Sequence, residues 1–387
     1  MLKVKLMNKI AKVGTDVLSA TKYELGEQIE NEDAIMVRSA ALHETPFSPN
    51  LRAIARCGAG VNNIPVEKCT EQGIVVFNTP GANANAVKEL AVAALVLASR
   101  DILGGVKWVE SLAGQTGVAK AVEAGKSKFV GHELAGKTLG VIGLGAIGGM
   151  VANAAISLGM NVMGYDPYIT AKAAWSLAPS VRQASDYADI FQHCDYITLH
   201  VPATPQTKNM ICEKTIAQMK DGARILNLAR ADLVNAEDLK AALKSKKLAA
   251  YVTDFPTDET AGAEGVIAIP HLGASTVESE DHCAIMAAQQ LDEFLTCGNI
   301  RNSVNFPTVG IPQSEKPRVC IMNKNVPNML SQITSAFSAQ NINIENLANG
   351  SKGEIAYTIV ETNVAADGAI IEKLAAIEGV FGVRTFA

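Results

Sequence analysis

The fold class that the sequence predicts is α/β, with a doubly wound parallel sheet in the middle of the chain and a small ferredoxin-like α+β module at its end. Three observations predict it. From Lys137 onward, short apolar runs alternate with helical stretches. A glycine-rich turn joins the first of these runs to its helix. The last part of the chain, about 70 residues, has the pattern βαββαβ.

The candidate strands and helices are spaced as such a fold requires. Short apolar runs bounded by Gly, Asn, Pro or charged residues suit buried strands of a parallel sheet. The candidate strands are Ala34–Val37, Ala53–Ala55, Ile74–Phe77, Leu139–Ile142, Val162–Tyr165, Tyr196–His200, Arg224–Leu228, Ala249–Thr253 and Val266–Ile269. The candidate helices are Asn83–Arg100, Ala236–Lys246 and Val277–Cys297.

A proline-containing stretch separates this part from the C-terminal module. Residues 302–317 contain Pro307, Pro312 and Pro317, so we expect a linker there. Beyond it, the candidate strands are Arg318–Met322, Ile342–Leu347, Ile355–Val360 and Val380–Thr385, and the candidate helices are Asn328–Gln340 and Ala369–Ile377.

Composition argues against several classes of protein. A hydrophobic content of 48% and a charged content of 19% are typical of a globular protein. The formal net charge of -5, with no basic tail, argues against nucleic acid as a partner. The seven cysteines are scattered without a CxxC motif, which predicts reduced thiols and no metal site. No signal-peptide core and no apolar run of the ~20 residues needed for a membrane span is found, so we expect a cytoplasmic protein with no membrane partner.

The segment from Gly143 to Gly148 has the spacing GxGxxG between an apolar strand and a helix. Gly143 permits a tight turn, Gly145 lets a pyrophosphate approach the backbone, and Gly148 lets the helix pack against the strand. Asp166 ends the next strand, where its carboxylate would accept from ribose hydroxyls and repel a 2′-phosphate. The motif therefore predicts NAD as cofactor.

Three charged residues follow later strands. Arg230, Glu259 and His271 each come shortly after an apolar run, and the carboxyl ends of parallel strands meet at one edge of a sheet. A histidine can take the proton of a secondary alcohol, an arginine can hold a carboxylate, and a carboxylate can orient the imidazole. The set predicts hydride transfer between NAD and a small 2-hydroxy acid.

Six stretches spread along the chain carry a family resemblance: Val37-Arg38-Ser39, Arg56-Cys57-Gly58-Ala59-Gly60-Val61-Asn62-Asn63, Asn78-Thr79-Pro80-Gly81, Gly136-Lys137-Thr138-Leu139-Gly140, Asn227-Leu228-Ala229-Arg230 and His271-Leu272-Gly273-Ala274-Ser275-Thr276. With them, the chain resembles the D-isomer-specific 2-hydroxyacid dehydrogenases over nearly its whole length. The resemblance implies a nucleotide domain inserted in a flavodoxin-like substrate domain. The implied bounds are 1–95 with 281–305 for the substrate domain, 96–280 for the NAD-binding Rossmann domain, 306–316 for the linker and 317–387 for an ACT-like domain.

The resemblance also implies site residues. The catalytic residues would be Arg230, Glu259 and His271. The cofactor contacts would be Thr79, Gly143, Gly145, Ala146, Ile147, Gly148, Asp166, Val201, Pro202, Thr207, Leu228, Asp254 and Ala274. Two departures from the family's pattern concern this set. Ala231 stands where the family usually has Gly, and the stretch Asp254–Glu259 places the catalytic acid at Glu259 by an ungapped count or at Asp258 by matching Phe-Pro-Thr.

The candidate substrate contacts lie mainly in the N-terminal part. For a phosphorylated substrate they are Arg38, Ser39, Arg56, Gly58, Arg230 and His271. Lys126 and Lys128 are further candidates for the phosphate, against the alternative of a solvated loop.

The C-terminal module resembles an ACT domain, a fold that often binds amino acids. Asn323, Asn325 and Asn343 match positions that contact serine in regulated relatives, although this loop departs from the family's sequence. The alternative is a dimerisation module without a ligand. The resemblance implies a homodimer or homotetramer.

The resemblance leaves three functions open. The first is NAD-dependent oxidation of D-3-phosphoglycerate at the start of serine biosynthesis, favoured by a tail suited to feedback from an amino acid. The second is reduction of hydroxypyruvate or glyoxylate, or oxidation of another D-2-hydroxy acid. The third is a non-catalytic protein that senses NAD on the same scaffold, which the presence of Arg230 with His271 argues against.

Overall fold

The computed structural model describes residues 1–386, which form two compact units. One unit comprises Met1–Asn83 and the chain from Val277 onward, and the other comprises Ala84–Thr276. The predicted boundary at residue 95 falls inside a continuous helix that begins at Ala84, so the second unit starts earlier than expected. The C-terminal module belongs to the first unit. Within residues 1–386, no helix is both long and apolar enough to cross a membrane.

The N-terminal sheet has five parallel strands in the order β2-β1-β3-β4-β5, which is the flavodoxin-like order expected. The strands are β1 Leu2–Met7, β2 Tyr23–Gly26, β3 Ala34–Val37, β4 Ala53–Arg56 and β5 Val75–Phe77. Two short helices belong to this part, α1 Lys12–Thr15 and α2 Val66–Glu71. Strands β1 and β2 were not predicted because alternating lysines break the apolar run of β1 and because Glu24 and Gly26 interrupt that of β2.

The second unit contains a seven-stranded parallel sheet in the order β12-β11-β10-β9-β6-β7-β8, which confirms the predicted doubly wound fold. Its strands are β6 Thr138–Ile142, β7 Asn161–Tyr165, β8 Arg182–Gln183, β9 Tyr196–Leu199, β10 Ala223–Asn227, β11 Leu248–Thr253 and β12 Val266–Ala268. Its α-helices are α3 Ala84–Ser99, α4 Ile102–Glu110, α5 Val118–Gly125, α6 Ala146–Ser157, α7 Ala171–Trp175, α8 Tyr187–His193, α9 Glu213–Ile216 and α10 Ala236–Lys244. Two short 3₁₀ turns are Lys126–Phe129 and Ala231–Leu233.

The strand order reverses between β6 and β9. Strand β6 comes first in this unit, with β7 on one side and β9 on the other. In open sheets of this type, ligands bind beyond the carboxyl ends of the strands near such a reversal. The glycine-rich turn follows β6 and therefore lies at this point of the sheet.

The chain then returns to the first unit through the long helix α11, Val277–Cys297, and ends in the C-terminal module. The module's antiparallel sheet has the order β14-β15-β13-β16. Its elements are β13 Arg318–Lys324, α12 Met329–Ser338, β14 Ile344–Lys352, β15 Ile355–Thr362, α13 Gly368–Ala375 and β16 Val380–Phe386. This is the predicted βαββαβ order.

The two faces of this antiparallel sheet belong to different cores. Val319 and Ile321 of β13 face the module's own helices, where Phe337 is buried with them. Cys320 and Met322 of the same strand lie in a core shared with the N-terminal sheet and α11. Successive side chains of a strand point to opposite faces, so one strand serves both cores.

The segment 306–316 is a packed connection and not the free linker that its prolines suggested. Phe306 is 1% exposed and lies in the shared core, and Val309 pairs with Ile300 in an antiparallel bridge. The prolines fix the turns of the chain, but the apolar residues between them are buried.

Candidate active site

The glycine turn after β6 is built from close contacts that only glycine allows. Gly143 has φ +90°, and a Cβ there would lie 2.5 Å from the carbonyl oxygen of His200. A Cβ on Gly148 would lie 1.8 Å from the carbonyl oxygen of Gly143. A Cβ on Gly145 would meet nothing within 4 Å, so the space above the start of α6 is open to a ligand. Ala146 and Ile147 form the first turn of that helix.

Asp166 lies directly beside this turn. One carboxylate oxygen accepts from the backbone N–H of Leu144 at 2.9 Å, and the other accepts from that of Tyr168 at 2.9 Å. These hydrogen bonds fix a negative charge at the end of β7, next to the open position at Gly145. The turn and the carboxylate fit the pyrophosphate and ribose of a dinucleotide.

The other predicted cofactor residues of this unit follow successive strands of the same sheet. Val201, Pro202 and Thr207 lie on the loop after β9, where the Thr207 hydroxyl donates to the Pro202 carbonyl at 2.6 Å. Leu228 follows β10, and Ala274 lies beyond β12. Thr79 belongs to the first unit, where it is buried and its N–H donates to the Gly58 carbonyl at 3.1 Å.

Arg230 and His271 lie against one aromatic ring. The guanidinium carbon of Arg230 is 5.4 Å from the ring centroid of Phe255. The imidazole centroid of His271 is 4.4 Å from the same centroid, with the planes at 48°. The two side chains that were predicted to act together therefore do lie together. Phe255 was not singled out from the sequence, because an aromatic residue after a strand carries no signal of its own.

Buried polar residues hold the loop of Arg230. The Asn227 side chain is fully buried; its Nδ2 donates to the Arg230 carbonyl at 2.8 Å and its Oδ1 accepts from the Arg230 N–H at 3.3 Å. The Thr253 hydroxyl donates to the Asn227 carbonyl at 2.9 Å and accepts from the Phe255 N–H at 3.0 Å. The ends of β10 and β11 are therefore tied together.

Asp254 is a buried carboxyl group between these side chains. It is 1% exposed, and Oδ2 accepts from the Gly273 N–H at 3.1 Å. Burial raises the pKa of Asp254, while the Gly273 N–H and the charges of His271 and Arg230 oppose that rise. Oδ1 of Asp254 has no hydrogen-bond partner among residues 1–386, so it is free to accept from a ligand.

The predicted catalytic acid is not brought to the imidazole. Glu259 is exposed, and its pKa is lowered chiefly by a hydrogen bond from the Thr257 side chain. Asp258 is exposed as well. In the described part of the chain, no Asp or Glu forms an ion pair with His271. The ungapped count that favoured Glu259 places it on the loop after β11, where its side chain is exposed.

The candidate phosphate residues occupy two places. Arg38 follows β3, and its guanidinium donates to the Glu280 carboxylate at 2.5 Å. Arg56 ends β4, and its guanidinium lies over Gly58, where a Cβ would be 1.4 Å from Nη1. The N–H of Ser39 donates to the Asn8 side chain at 3.1 Å. Lys126, in the other unit, pairs with Glu123, and Lys128 lies in the same 3₁₀ turn.

Two of the three candidate effector residues line a cavity in the C-terminal module. The cavity has a volume of about 340 Å³ and is lined by Asn323, Asn325, Val326, Asn328, Met329, Leu330, Ser331, Asn349 and Ala356. Asn323 is 2% exposed, and its Oδ1 has no partner within residues 1–386. Asn343 is not among the lining residues; its N–H donates to the Asn363 side chain at 3.0 Å. Asn349 was missed because the candidate strand ended at Leu347, whereas β14 continues to Lys352 and carries Asn349 into the cavity wall.

Comparison with known proteins gives a consistent result. The model of the family "D-isomer specific 2-hydroxyacid dehydrogenase, NAD binding domain" matches residues 93–273. A D-3-phosphoglycerate dehydrogenase of Haemophilus influenzae is 32% identical over 377 residues, covering 93% of this chain and 88% of that protein. One of Methanocaldococcus jannaschii is 37% identical over 321 residues, covering 81% of this chain and 58% of that protein.

Some curated relatives are longer than this chain. The aligned region spans 58% of the length of the relatives from Methanocaldococcus jannaschii and Synechocystis. Among solved structures, the NAD⁺-bound 3-phosphoglycerate dehydrogenase of Entamoeba histolytica has a TM-score of 0.62 at 27% identity, covering 79% of this chain and 98% of that one.

Proposed function

Because the chain belongs to the D-isomer specific 2-hydroxyacid dehydrogenase family, we propose that it is an NAD-dependent enzyme that oxidises D-3-phosphoglycerate to 3-phosphohydroxypyruvate. The observation that carries this proposal is the meeting of Arg230 and His271 at Phe255, on the same sheet as the glycine turn. That arrangement supports catalysis over the alternative of a non-catalytic NAD sensor, which has no need of a proton acceptor beside a guanidinium.

His271 is the proton acceptor of the proposed reaction. Oxidation of a secondary alcohol removes the proton from the hydroxyl oxygen and a hydride from the carbon that bears it, which leaves a C=O bond. NAD supplies the hydride acceptor when it is bound. His271 is exposed, so its imidazole can reach the hydroxyl of C2. Arg230 is exposed as well; its guanidinium can hold the substrate carboxylate through paired hydrogen bonds and stabilise the negative charge that develops on the C2 oxygen.

The cofactor preference rests on Asp166. Its carboxylate is fixed beside the glycine turn by two backbone N–H groups, where it can accept from the ribose hydroxyls of NAD. The 2′-phosphate of NADP would meet this negative charge and be repelled. Asp254 has a free carboxylate oxygen suited to an amide donor, and we assign it to the nicotinamide carboxamide.

For the substrate phosphate we assign Arg38, Ser39 and Arg56, and for the substrate carboxylate the backbone amides of the Gly58 turn. Arg38 and Arg56 follow neighbouring parallel strands of the N-terminal sheet, so both guanidinium groups start from the same edge of that sheet. Guanidinium groups bind phosphate in two-point geometry. Lys126 is engaged with Glu123, which makes it a weaker candidate for the phosphate.

An assay across substrates tests the proposal. NADH formation is measured from D-3-phosphoglycerate, D-glycerate and D-lactate, and NADH consumption from hydroxypyruvate and glyoxylate. The proposal expects the highest kcat/KM for D-3-phosphoglycerate. A higher value for glyoxylate or hydroxypyruvate would assign the chain to the reductases of this family. Binding of NAD without turnover of any substrate would support the sensor instead.

We further propose that the cavity of the C-terminal module binds a small amino acid such as L-serine. The support is the row of asparagine side chains around a volume of about 340 Å³, one of them with an unpartnered, buried Oδ1. Amide groups can both donate to a carboxylate and accept from an ammonium group. The alternative is a dimerisation module without a ligand.

Variants of the cavity distinguish these two roles. L-serine is titrated into the activity assay of the wild type and of Asn325→Ala, with Gln340→Ala, at an exposed amide side chain that does not line the cavity, as the matched control. The proposal expects inhibition of the wild type and of the control, and weaker inhibition of Asn325→Ala. If L-serine does not inhibit the wild type, and if changes in β14 dissociate the oligomer, the module serves dimerisation and not ligand binding. A homodimer or homotetramer, acting in the cytoplasm, is part of the same proposal; light scattering measures the oligomeric state.

A further inference from the structure

The ring of Phe255 contacts both groups that the proposed reaction uses, although no chemistry was predicted for it. The imidazole of His271 and the guanidinium of Arg230 lie 4.4 and 5.4 Å from its centroid. Phe255 is half-buried, so part of its surface is held by the protein and part faces the site. A phenyl ring cannot donate or accept a proton, so its role must act through its two neighbours.

The backbone of Phe255 belongs to the same buried network as Arg230. The Phe255 N–H donates to the Thr253 hydroxyl, which donates to the carbonyl of Asn227. The Asn227 side chain in turn binds the backbone of Arg230 at both its N–H and its carbonyl. The backbones that carry the ring and the guanidinium are therefore held by one hydrogen-bond network at the paired ends of β10 and β11.

The loop of His271 is fixed to the residue before Phe255. The Gly273 N–H donates to the buried carboxyl group of Asp254 at 3.1 Å. This bond ties the His271 loop to the end of β11, but it does not touch the imidazole. The charged groups that act on this region from the neighbouring loops are Asp254 and Arg230.

In the described part of the chain no Asp or Glu forms an ion pair with His271, and the Glu259 side chain is exposed. The ring of Phe255 lies against the imidazole. An aromatic face can orient an imidazole, because it packs against the ring and attracts a cation. In the oxidation direction His271 becomes an imidazolium, which the negative face of the ring would stabilise.

We propose that Phe255 is a positioning residue that holds the His271 imidazole and the Arg230 guanidinium on one ring. This inference rests on the proposed function for its kinetic consequence. The contact between the rings is independent of that function and can be measured in the protein without substrate.

Nuclear magnetic resonance tests the contact itself. The ring protons of His271, labelled with ¹³C and assigned by their loss in His271→Ala, should show an upfield ring-current shift in the wild type. The shift should disappear in Phe255→Leu and persist in Phe255→Tyr. Ring protons of His271 at ordinary positions in the wild type, unchanged by Phe255→Leu, would overturn the proposal whatever the enzyme's substrate.

Kinetics test the positioning role. Phe255→Leu should lower kcat by about 10- to 100-fold, since a small misplacement of a reacting group has effects of that size. Phe255→Tyr should stay within about threefold of the wild type because it keeps the ring. The dissociation constant of NAD should not change in either variant. Trp175→Leu, at an aromatic side chain that is 90% exposed, is the matched control.

A double-variant cycle separates positioning from a general structural effect. In the His271→Ala background, Phe255→Leu should lower the residual kcat by a smaller factor than in the wild-type background, because only the contact with Arg230 is left to lose. An equal factor in both backgrounds would overturn the proposal, as would a wild-type kcat in Phe255→Leu. Thermal unfolding checks that the variants are folded, and Phe255→Met replaces Phe255→Leu if the latter is not. A wild type that turns over no 2-hydroxy acid would contradict the proposed function, and the resonance measurement would still decide on the ring contact.

Discussion

Two regions of the molecule differ in the exposure and pairing of their charged side chains. At the carboxyl edge of the seven-stranded sheet, Arg230 and His271 are exposed and form no ion pair with any described residue. Where the C-terminal sheet packs on the N-terminal sheet, Arg318 and Glu361 are 2% and 1% exposed and bind each other at 2.8 Å. Among residues 1–386, the Arg230 guanidinium of the first region donates only to the Ala229 carbonyl, so its other N–H groups can bind a ligand. In the second region both charged groups form their hydrogen bonds inside the fold.

The buried pair is satisfied on every side. The Arg318 guanidinium also donates to the carbonyls of Cys297, Ile311 and Pro312. The Glu361 carboxylate also accepts from the side chains of Ser314 and Asn346. A buried charge without such partners is strongly destabilising, so this network stabilises the junction only as a complete set.

A second arginine joins the C-terminal sheet to the N-terminal one. The Arg384 guanidinium donates to the carbonyls of Arg52 at 3.1 Å and Gly73 at 2.8 Å, and burial lowers its pKa to about 10. These carbonyls lie just before strands β4 and β5. The C-terminal module is therefore continuous with the N-terminal sheet, and removing it would expose the shared core. For this reason point variants suit the test of the effector cavity better than truncation.

The largest expected effect is at the exposed edge. His271→Ala should lower kcat by roughly 10²- to 10⁴-fold, the range for a lost general base, and leave the dissociation constant of NAD unchanged. Steady-state kinetics and NAD titration measure the two quantities. His193→Ala, at an exposed histidine at the end of α8, is the control and should behave as the wild type. Near-full turnover in His271→Ala would remove the histidine from the mechanism.

The next effect is on stability, in the buried region. Glu361→Gln should lower the free energy of unfolding by about 3–5 kcal/mol at pH 7, because Arg318 keeps its charge without a partner. Urea denaturation measures it, and Lys12→Gln at an exposed ion pair should cause no measurable change. A variant as stable as the wild type would mean that solvent reaches the junction.

The same residue predicts a dependence on pH. Burial raises the pKa of Glu361, but the hydrogen bonds from Ser314, Asn346 and Arg318 outweigh it, and the pKa is lowered from 4.5. A carboxylate with a lowered folded pKa stabilises the fold fully above about pH 4.5, and this contribution is lost as the pH falls through the folded pKa. The difference in stability between the wild type and Glu361→Gln should therefore shrink in acid.

Cofactor preference should change by a smaller factor. Asp166→Ser removes the charge beside the glycine turn and shortens the acceptor that would hold the ribose. We expect the KM for NAD to rise and that for NADP to fall, each by about tenfold, which corresponds to ~1.4 kcal/mol. Parallel assays with the two cofactors measure it. An unchanged ratio of kcat/KM values would show that Asp166 does not meet the ribose.

Substrate discrimination should respond by a few-fold at Arg38. Arg38→Ala should raise the KM for D-3-phosphoglycerate more than that for unphosphorylated D-glycerate. The effect is modest because Arg38 is half-exposed and already paired with Glu280. Glu280→Gln is the matched variant, since it keeps the arginine and removes its partner. Equal changes for both substrates in Arg38→Ala would dismiss the phosphate assignment.

The smallest effect is expected at Glu259. Its carboxylate is exposed and forms no ion pair with His271 in the described part of the chain, so Glu259→Gln should change kcat by less than about twofold. Steady-state kinetics at a fixed pH measure it, with His271→Ala as the reference for a large loss. If Glu259→Gln lost as much turnover as His271→Ala, the carboxylate would have to move to the imidazole when substrate binds.

The sequence predicted the parallel sheets better than it predicted the side-chain contacts. Apolar runs identified nearly every strand of the seven-stranded sheet, because those strands are buried on both faces and their composition is constrained. Strands β1 and β2 were not identified, since a short or half-exposed strand tolerates Lys and Glu. The packing of the C-terminal module on the N-terminal sheet was not predicted either. Cys320 and Met322 alternate with apolar residues, and this pattern is the same in a module that packs on nothing else.

At the site, the spacing of residues in the sequence predicted which loop each residue lies on, but it did not predict where the side chains point. The glycine turn and Asp166 were predictable because they require particular residue types. The ungapped count placed Glu259 on the loop after β11, but whether it reaches His271 depends on the turn around Thr257. Phe255 could not be identified, because its importance comes only from what lies on each face of the ring.

Isotope transfer tests the central claim most directly. The enzyme is incubated with NAD and D-3-phosphoglycerate that carries deuterium at C2, and the NADH is examined by mass spectrometry. The account predicts singly deuterated NADH from the wild type, with far slower formation by His271→Ala and Arg230→Ala. Unlabelled NADH, no NADH, or labelled NADH formed at the wild-type rate by both variants would contradict it.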